Sequence, residues 1–507
     1  MPLSRLCCLS LVGLEAVPVD VEVDVVKSDG LSLIIVGLPD TAVRESKDRV
    51  LTAIKNSGFQ LGTVHAIVNL APSDLKKEGS IYDLPIALGL LRSAGLVSSS
   101  DTIQDYIIVG ELALSGELRP ICGALAIALL ARAQGKKGIL LPASNAKEAA
   151  AVPGIDIHPL QNLKEAVRFL KGTPCHPPIQ STLSDDLFKS AEASVDFRDV
   201  KGQLHSKRAL EVAAAGSHNV VLSGPPGSGK TMLAKALIGI MPELTLEEAI
   251  EATKIHSVAG LLPPNQGLLT LRPFRSPHHT ISYAGLIGGG SYPKPGEVSL
   301  AHQGILFLDE LPEFSRSVLE VLRQPLEDRK VTISRANGNF TFPTSFVCIA
   351  AMNPCPCGYL GHPTKACKDS ALQVDRYRGK ISGPLWDRFD MHIDVPPLKH
   401  EDFSVEASAE PSSVIRERVK RARAIQNNRF GKVKSNAMMS SGEIKKYCSL
   451  DAKGKETLRM AVEVTGVSAR AYDRILRVAR TIADLDASDN IHKHHLMEAL
   501  NLRNDRK

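Results

Sequence analysis

GSHNVVLSGPPGSGKTMLAKALIG, residues 216–239, decides how the rest of the chain is read. The apolar run 219–222 ends in Gly224-Pro225-Pro226-Gly227-Ser228-Gly229-Lys230-Thr231, after which Met232, Leu233, Ala236 and Leu237 recur at helical spacing. This order predicts strand, phosphate loop, helix. The three glycines free the backbone to turn its N–H groups onto a polyphosphate, and the start of the following helix favours negative charge. Lys230 reaches the β and γ oxygens, and Thr231 offers a hydroxyl to Mg²⁺. A glycine turn that merely joins a strand to a helix needs neither side chain, so the complete GxxxxGKT pattern points to a nucleotide site.

Downstream, Gly304-Ile-Leu-Phe-Leu-Asp309-Glu310 predicts an apolar strand ending in two carboxylates. Asp309 is suited to order the Mg²⁺ shell and Glu310 to polarise the attacking water. Two acids after a strand are commonplace alone, but behind a phosphate loop they mark a hydrolase. The strand expected at 345–352 ends at Asn353, a polar amide placed to orient the lytic water. Arg388, at the start of the strand expected at 391–395, is positioned to stabilise a neighbouring subunit's γ-phosphate; a local salt bridge to Asp387 or Asp390 is the competing role. In the helical region beyond, Arg470, Arg474 and Arg477 share one helix face. Arg470, near the helix start, is expected to close on ATP, and the others to be surface charge.

Between the two nucleotide motifs, residues 271–282 (LRPFRSPHHTIS) and 288–296 (GGGSYPKPG) are too rich in Pro and Gly for a helix and predict projecting loops. Arg272, Arg275, His278 and His279 put basic groups on the first of them, as a loop facing DNA phosphates would. Paired histidines also suit a metal, but no carboxylate or cysteine stands nearby at ligand spacing. At 330–342, KVTISRANGNFTF is a β-branched run, Asn-Gly, and a second β-rich run, a hairpin flanked by Lys330 and Arg335. Cys355, Cys357 and Cys367 then lie in one loop. Thiolates this close hold Zn²⁺ if Asp369 or His362 supplies a fourth ligand, although the spacing departs from C-x₂-C and three reduced cysteines can equally stand unliganded.

A chain of 507 residues predicts about three domains. Residues 10–170 alternate β-rich runs with helical patterns, an α+β or α/β arrangement. The Pro- and Ser-rich stretch at 173–195 reads as a linker, 196–400 as an α/β nucleotide-binding core with a parallel sheet, and 401–507 as a helical lid. The net charge is +6; residues 401–507 hold 21 Lys/Arg against 15 Asp/Glu, leaving 40 of each sign before them. This C-terminal bias suits a nucleic-acid partner or a solvated helical face. Nine cysteines, an odd number, argue against a disulfide framework, and no apolar run is long enough for a membrane span, so a cytoplasmic protein is expected.

Two resemblances sharpen these expectations. KEGS at 77–80, GELALSGELRPI at 110–121 and GILLP at 138–142 resemble the proteolytic domain of Lon-type proteases. A Ser–Lys dyad needs an amine beside the nucleophile. Leu125 occupies the lysine position and Ile81, one past Ser80, the serine position, so the resemblance implies the fold without peptidase activity. RPFRSPHHTIS, GILFLDELPEF, AAMNPCPCGY, ISGPLWDRFD and SARAYDRILRVARTIADL resemble the magnesium-chelatase-type AAA+ ATPases, and a Lon-like domain in front of them is similar to the ComM/YifB group. The resemblance implies a homo-hexameric ring that uses ATP and Mg²⁺ to act on single-stranded or branched DNA by branch migration. Two rivals are an ATPase subunit for metal insertion into a porphyrin and an ATP-dependent Lon-like peptidase.

Overall fold

A computed structural model describes residues 3–98, 101–181, 193–263, 265–290, 293–335, 338–398, 410–465 and 468–503. Much of the expected linker, Tyr292 of the glycine-rich loop and Asn337 of the hairpin turn fall outside these residues. The chain forms two compact units, Met1–Leu187 with Leu246–Leu269, and Phe188–Thr245 with Thr270–Lys507.

The first unit is built on a mixed seven-stranded sheet of β1 (Ser4–Val12), β2 (Glu15–Lys27), β3 (Ser32–Val36), β4 (Val64–Ala71), β5 (Tyr106–Ile108), β6 (Gly138–Pro142) and β7 (Asp156–Leu160), in the order β3-β4-β2-β1-β5-β6-β7. In β2 the alternation Val19, Val21, Val23, Val25 against Asp20, Glu22, Asp24 sends the valines into the core at no more than 1% exposure. The helix Asp83–Ser93 is buried along nearly its whole length, and Gly89 lets it approach the sheet: a Cβ there would lie 2.5 Å from Val23 Cγ2. Most of the strands and helices expected at 10–170 are present. The strand β7 was not legible because Asp156-Ile-His-Pro159-Leu carries a proline and two polar residues, tolerated only at a sheet edge.

The helix Leu246–Val258 belongs to this unit although it follows the phosphate loop in sequence. It is fastened by Ser257, which accepts from the Gly123 amide at 2.9 Å and donates to the buried carboxylate of Glu148; the same carboxylate accepts from the Leu125 amide at 2.7 Å.

The second unit carries five parallel strands: β8 (Val220–Ser223), β9 (Phe274–Arg275), β10 (Ile305–Leu308), β13 (Val347–Met352) and β14 (Met391–Asp394), ordered β9-β10-β13-β8-β14. Strands β10 and β13 are buried at every position, as strands covered on both faces must be. The hairpin β11 (Lys330–Arg335) and β12 (Gly338–Pro343) stands apart from this sheet. The helices Ser412–Phe430 and Ala469–Leu485 bury Ile415, Val419, Ile475, Val478 and Ile482 in the same core as Leu210, Leu237 and Ile349. The expected lid helices therefore pack into one body with the nucleotide-binding strands.

That packing corrects the expectation for Arg474 and Arg477. Arg474 pairs with Asp390, which is 3% exposed, and Arg477 donates to the Met439 carbonyl at 2.7 Å. Burial would push the Asp390 carboxyl up, but Arg474, His218 and the Asn219 amide hold it well below the usual carboxylate range. A helix face lined with arginines is read as solvated charge only while its carboxylate and carbonyl partners, 84 and 38 residues away, remain unseen.

Candidate active site

Strands β8, β10 and β13 end at one edge of the parallel sheet, and their ends set the site. Ser223 pairs with Met352 and Leu308 with Ala350, so Gly224, Asp309 and Asn353 leave the sheet side by side. The Gly224 amide donates to the Met352 carbonyl at 3.2 Å, and a Cβ on Gly224 would lie 2.2 Å from the Val395 carbonyl oxygen. Gly227 (φ 77°) and Gly229 (φ 89°) sit in the left-handed region that lets the loop curl before the helix Lys230–Ile240.

The Lys230 amine bridges the loop, donating to the carbonyls of Gly224 (2.6 Å) and Pro225 (3.0 Å) and to Asn353 Oδ1 (3.3 Å). Burial lowers its basicity, and Asp309 opposes the shift. Thr231 Oγ1 donates to Asp309 Oδ2 at 3.0 Å, the two oxygens that a nucleotide-bound Mg²⁺ uses. The other Asp309 oxygen accepts from the Glu310 amide at 3.0 Å, which holds Glu310 at a left-handed φ of 52° with its carboxylate exposed. Thr231 and Asp309 fit Mg²⁺, since hard oxygen donors flank a basic cradle for phosphate. The structure thus brings together Gly224–Thr231, Asp309, Glu310 and Asn353.

Two contacts were missed in the sequence. His279 Nδ1 stands 3.3 Å from Glu310 Oε2, while its ring meets His278 at 4.1 Å and Phe314 edge-on at 6.4 Å. The loop between the two nucleotide motifs therefore touches the Glu310 carboxylate. Without His279 the Glu310 carboxylate is free to rotate, so His279→Ala should lower turnover by about tenfold or more while leaving ATP affinity near the parent's. Steady-state ATPase with a parallel nucleotide-binding titration checks this, and unchanged turnover would assign His279 to loop packing alone. The second contact is Gln203, which donates to the carbonyls of Pro396 (2.7 Å) and Ser228 (3.3 Å) and so supports the phosphate loop from below. Its only sequence clue is the Gly-Gln pair ahead of the helix Leu204–Gly216.

Arg388 and Arg470 form a separate group. Arg388 is 7% exposed and donates to the carbonyls of Arg323 (3.0 Å) and Pro384 (2.6 Å) and to the Glu327 carboxylate. Neither Asp387 nor Asp390 is its partner. Arg470 is exposed, with its guanidinium 4.0 Å from the same Glu327.

The two arginines assigned to the basic loop are held by the fold. Arg272 donates to the carbonyls of Pro242 (2.7 Å), Gln303 (2.8 Å) and Glu243 (3.1 Å), and Arg275 makes a bidentate pair with Glu297 at 2.6 and 2.7 Å. Both guanidiniums therefore have local partners in the fold, carbonyls for Arg272 and the Glu297 carboxylate for Arg275. Lys330 and Arg335 are exposed on the hairpin; Lys330 stands opposite the face that buries Val331, Ile333, Phe340 and Phe342, whereas Arg335 ends that same face and donates to the Gly290 carbonyl at 3.3 Å. Cys355, Cys357, Cys367 and Asp369 gather beyond Asn353 with their ligand atoms within 4.8 Å of one another. In the first unit, Leu125 is fully buried and Ser80 donates to Glu111, so the amine a Ser–Lys dyad requires is replaced by an aliphatic side chain.

A phosphate loop, a paired Asp–Glu and an Asn at adjacent strand ends define a P-loop ATPase of the AAA+ class. Residues 196–403 match the family model of magnesium chelatase subunit ChlI, residues 21–145 that of subunit ChlI of Mg-chelatase, and residues 409–503 that of the ChlI C-terminal region. The chain is 43% identical over 500 residues to competence protein ComM of Haemophilus influenzae, covering 97% of this chain and 95% of that one. It is 41% identical over 506 residues to the uncharacterized protein YifB of Escherichia coli K12, covering 99% and 97%. A shorter match, 33% over 154 residues, 28% of this chain and 26% of the other, is to Lon protease 2 of Bacillus subtilis. The chain belongs to the ComM/YifB family of magnesium-chelatase-type AAA+ ATPases, a family that uses ATP and Mg²⁺, with a Lon-like unit ahead of the ATPase.

Proposed function

We propose that this protein is a homo-hexameric, cytoplasmic ATPase that couples hydrolysis to the remodelling of single-stranded or branched DNA, with branch migration as its activity. The observation that supports this best is the place of the hairpin. It lies in the chain between β10, which leads into Asp309, and β13, which leads into Asn353, and Arg329 and Thr344 close its base through a 2.9 Å backbone hydrogen bond. Asp309 connects to the hairpin through the helices Arg316–Val321 and Arg323–Asp328, and Asn353 through the length of β13, so a shift of either strand end during hydrolysis is passed to it along these elements. The Lon-like unit, without a dyad amine, serves as a binding or assembly module. Among the described residues no helix is long and apolar enough to cross a membrane.

Aromatic residues make up 4% of the chain, so base stacking contributes little and binding is led by phosphate contacts. Affinity should fall steeply with salt and depend little on sequence, and Lys330→Ala with Arg335→Ala should lower the salt slope by roughly 0.7–0.9 for each phosphate left without its cation. The same double variant should lose DNA-stimulated ATPase and keep basal ATPase. Binding of branched DNA equal to the parent's at several salt concentrations would make the hairpin structural. The family models name magnesium chelatase, so the competing role is metal insertion. ATP turnover that is indifferent to single-stranded and branched DNA would favour it.

A further inference from the structure

We propose that Cys355, Cys357, Cys367 and Asp369 bind one zinc ion, and that this ion clamps the loop after Asn353 against the phosphate loop. The three sulfurs form a nearly equilateral triangle with edges of 3.4, 3.6 and 3.6 Å. A disulfide would bring one pair to about 2 Å and leave the third sulfur aside. Zinc at about 2.3 Å from each sulfur in a tetrahedral shell needs edges of about 3.8 Å, so the triangle closes on an ion with movements of a few tenths of an ångström.

Asp369 completes the set. Its Oδ2 lies 3.8 Å from Cys367 Sγ and accepts from the Cys357 amide at 2.8 Å, the outer hydrogen bond that orients a ligating carboxylate. His362, the other candidate, turns its Nδ1 to the amides of Thr364 (3.2 Å) and Lys365 (3.1 Å) and is thereby committed to its own turn. The amides of Tyr359 and Lys368 point at Cys357 Sγ, and that of Leu360 at Cys355 Sγ. Cys355 is fully buried, where a thiolate without a cation is strongly disfavoured. Binding exchanges the thiol protons for the ion: each S–H releases its proton to solvent as the Zn–S bond forms, and no oxidant is required.

The loop reaches the nucleotide site. A Cβ on Gly358 would lie 2.5 Å from Cδ of Pro226, inside the phosphate loop, and 3.8 Å from Cγ of Asn353. Arg378 donates to the Pro354 carbonyl at 3.3 Å, and Asn353 itself receives Lys230. A loop fixed at residues 355, 357, 367 and 369 therefore presses on Pro226 from one side while it holds Asn353 on the other. The clamp rests on the reading of residues 224–231 as a nucleotide site; the metal site does not.

The test uses the full chain, stripped of metal under reducing conditions and titrated with Zn²⁺ against a colorimetric chelator, then with Co²⁺ for its spectrum. The parent should bind about one ion per chain, with the thiolate charge transfer and strong d–d bands of tetrahedral Co²⁺. Cys367→Ser should weaken zinc by at least roughly 100-fold, beyond the 10–100-fold that loss of an outer-shell partner costs. Asp369→Cys should retain the ion and intensify the charge-transfer band by adding a fourth thiolate, while His362→Ala should titrate as the parent does. Hydrogen exchange should then show zinc-dependent protection at residues 355–369 and at Ser228 and Gly229. A parent that takes up neither ion, or a Cys367→Ser variant that binds like the parent, overturns the site. An unchanged cobalt spectrum in Asp369→Cys overturns Asp369 as ligand. Protection confined to 355–369 overturns the clamp alone.

Discussion

Glu310→Gln is expected to lose ATP turnover by about 10²-fold or more while binding ATP as the parent does. The substitution keeps the volume and the hydrogen-bonding length of the side chain but removes the charge that pulls a proton from water. Binding depends on other atoms: the phosphate loop, the Lys230 amine and the Thr231–Asp309 pair that receives Mg²⁺. Glu310 lies outside that shell, since only its backbone amide touches Asp309 and its carboxylate projects toward His279. A 10²-fold loss corresponds to about 2.7 kcal/mol of transition-state stabilisation. Lys230→Ala should behave differently, losing affinity together with turnover, because Lys230 contacts both the loop and Asn353. Measuring both variants by nucleotide titration and phosphate release separates the roles. Parental hydrolysis by Glu310→Gln would remove Glu310 from the reaction and leave Asn353 as the group that holds water.

Residues whose roles depend on local pattern were legible in the sequence. The loop from Gly224 to Thr231 needs its glycines, lysine and threonine within eight positions, and Asp309–Glu310 needs only an apolar strand before it. The Lon-like unit was legible for the same reason, since most of its strands alternate or run apolar over short stretches. What escaped was decided by distant partners. Glu327 receives Arg388 from 61 residues away, and Glu148 fastens Ser257 from 109 residues away. Arg272 and Arg275 escaped for a further reason. A proline-rich loop is expected to project, yet its guanidiniums reach back to carbonyls and a carboxylate of the core, and an arginine committed in this way has the same sequence as one facing DNA. Arg480 is tied down in the same way, by the carbonyls of Ser488 and Asp489.

Arg388→Ala should reduce turnover on the order of 10³-fold while sparing nucleotide affinity, because an arginine supplied to a transferring phosphoryl group acts on the charge that develops in the transition state. The geometry bears on where it acts. Arg388 lines an open groove of about 370 Å³ together with Tyr283, Glu320, Arg323 and Glu327, and Glu327 also faces the exposed Arg470. The two arginines expected at a γ-phosphate therefore gather around one half-exposed carboxylate, while Lys230, Thr231 and Asn353 gather around Asp309. Such a division suits a ring in which one subunit's cradle meets the next subunit's arginines, with Glu327 holding Arg388 until the neighbour's phosphate takes its place. Mixing two inactive variants, Lys230→Ala and Arg388→Ala, checks this. In a head-to-tail ring of equal parts, roughly one interface in four joins an intact Lys230 site to an intact Arg388. Those interfaces should restore a measurable share of the parental ATPase. Glu327→Gln, which loosens the hold on Arg388 without removing it, should leave turnover far above that of Arg388→Ala. No recovery in rings shown to be mixed would return Arg388 to its local role of tying Glu327 to the Arg323 and Pro384 carbonyls.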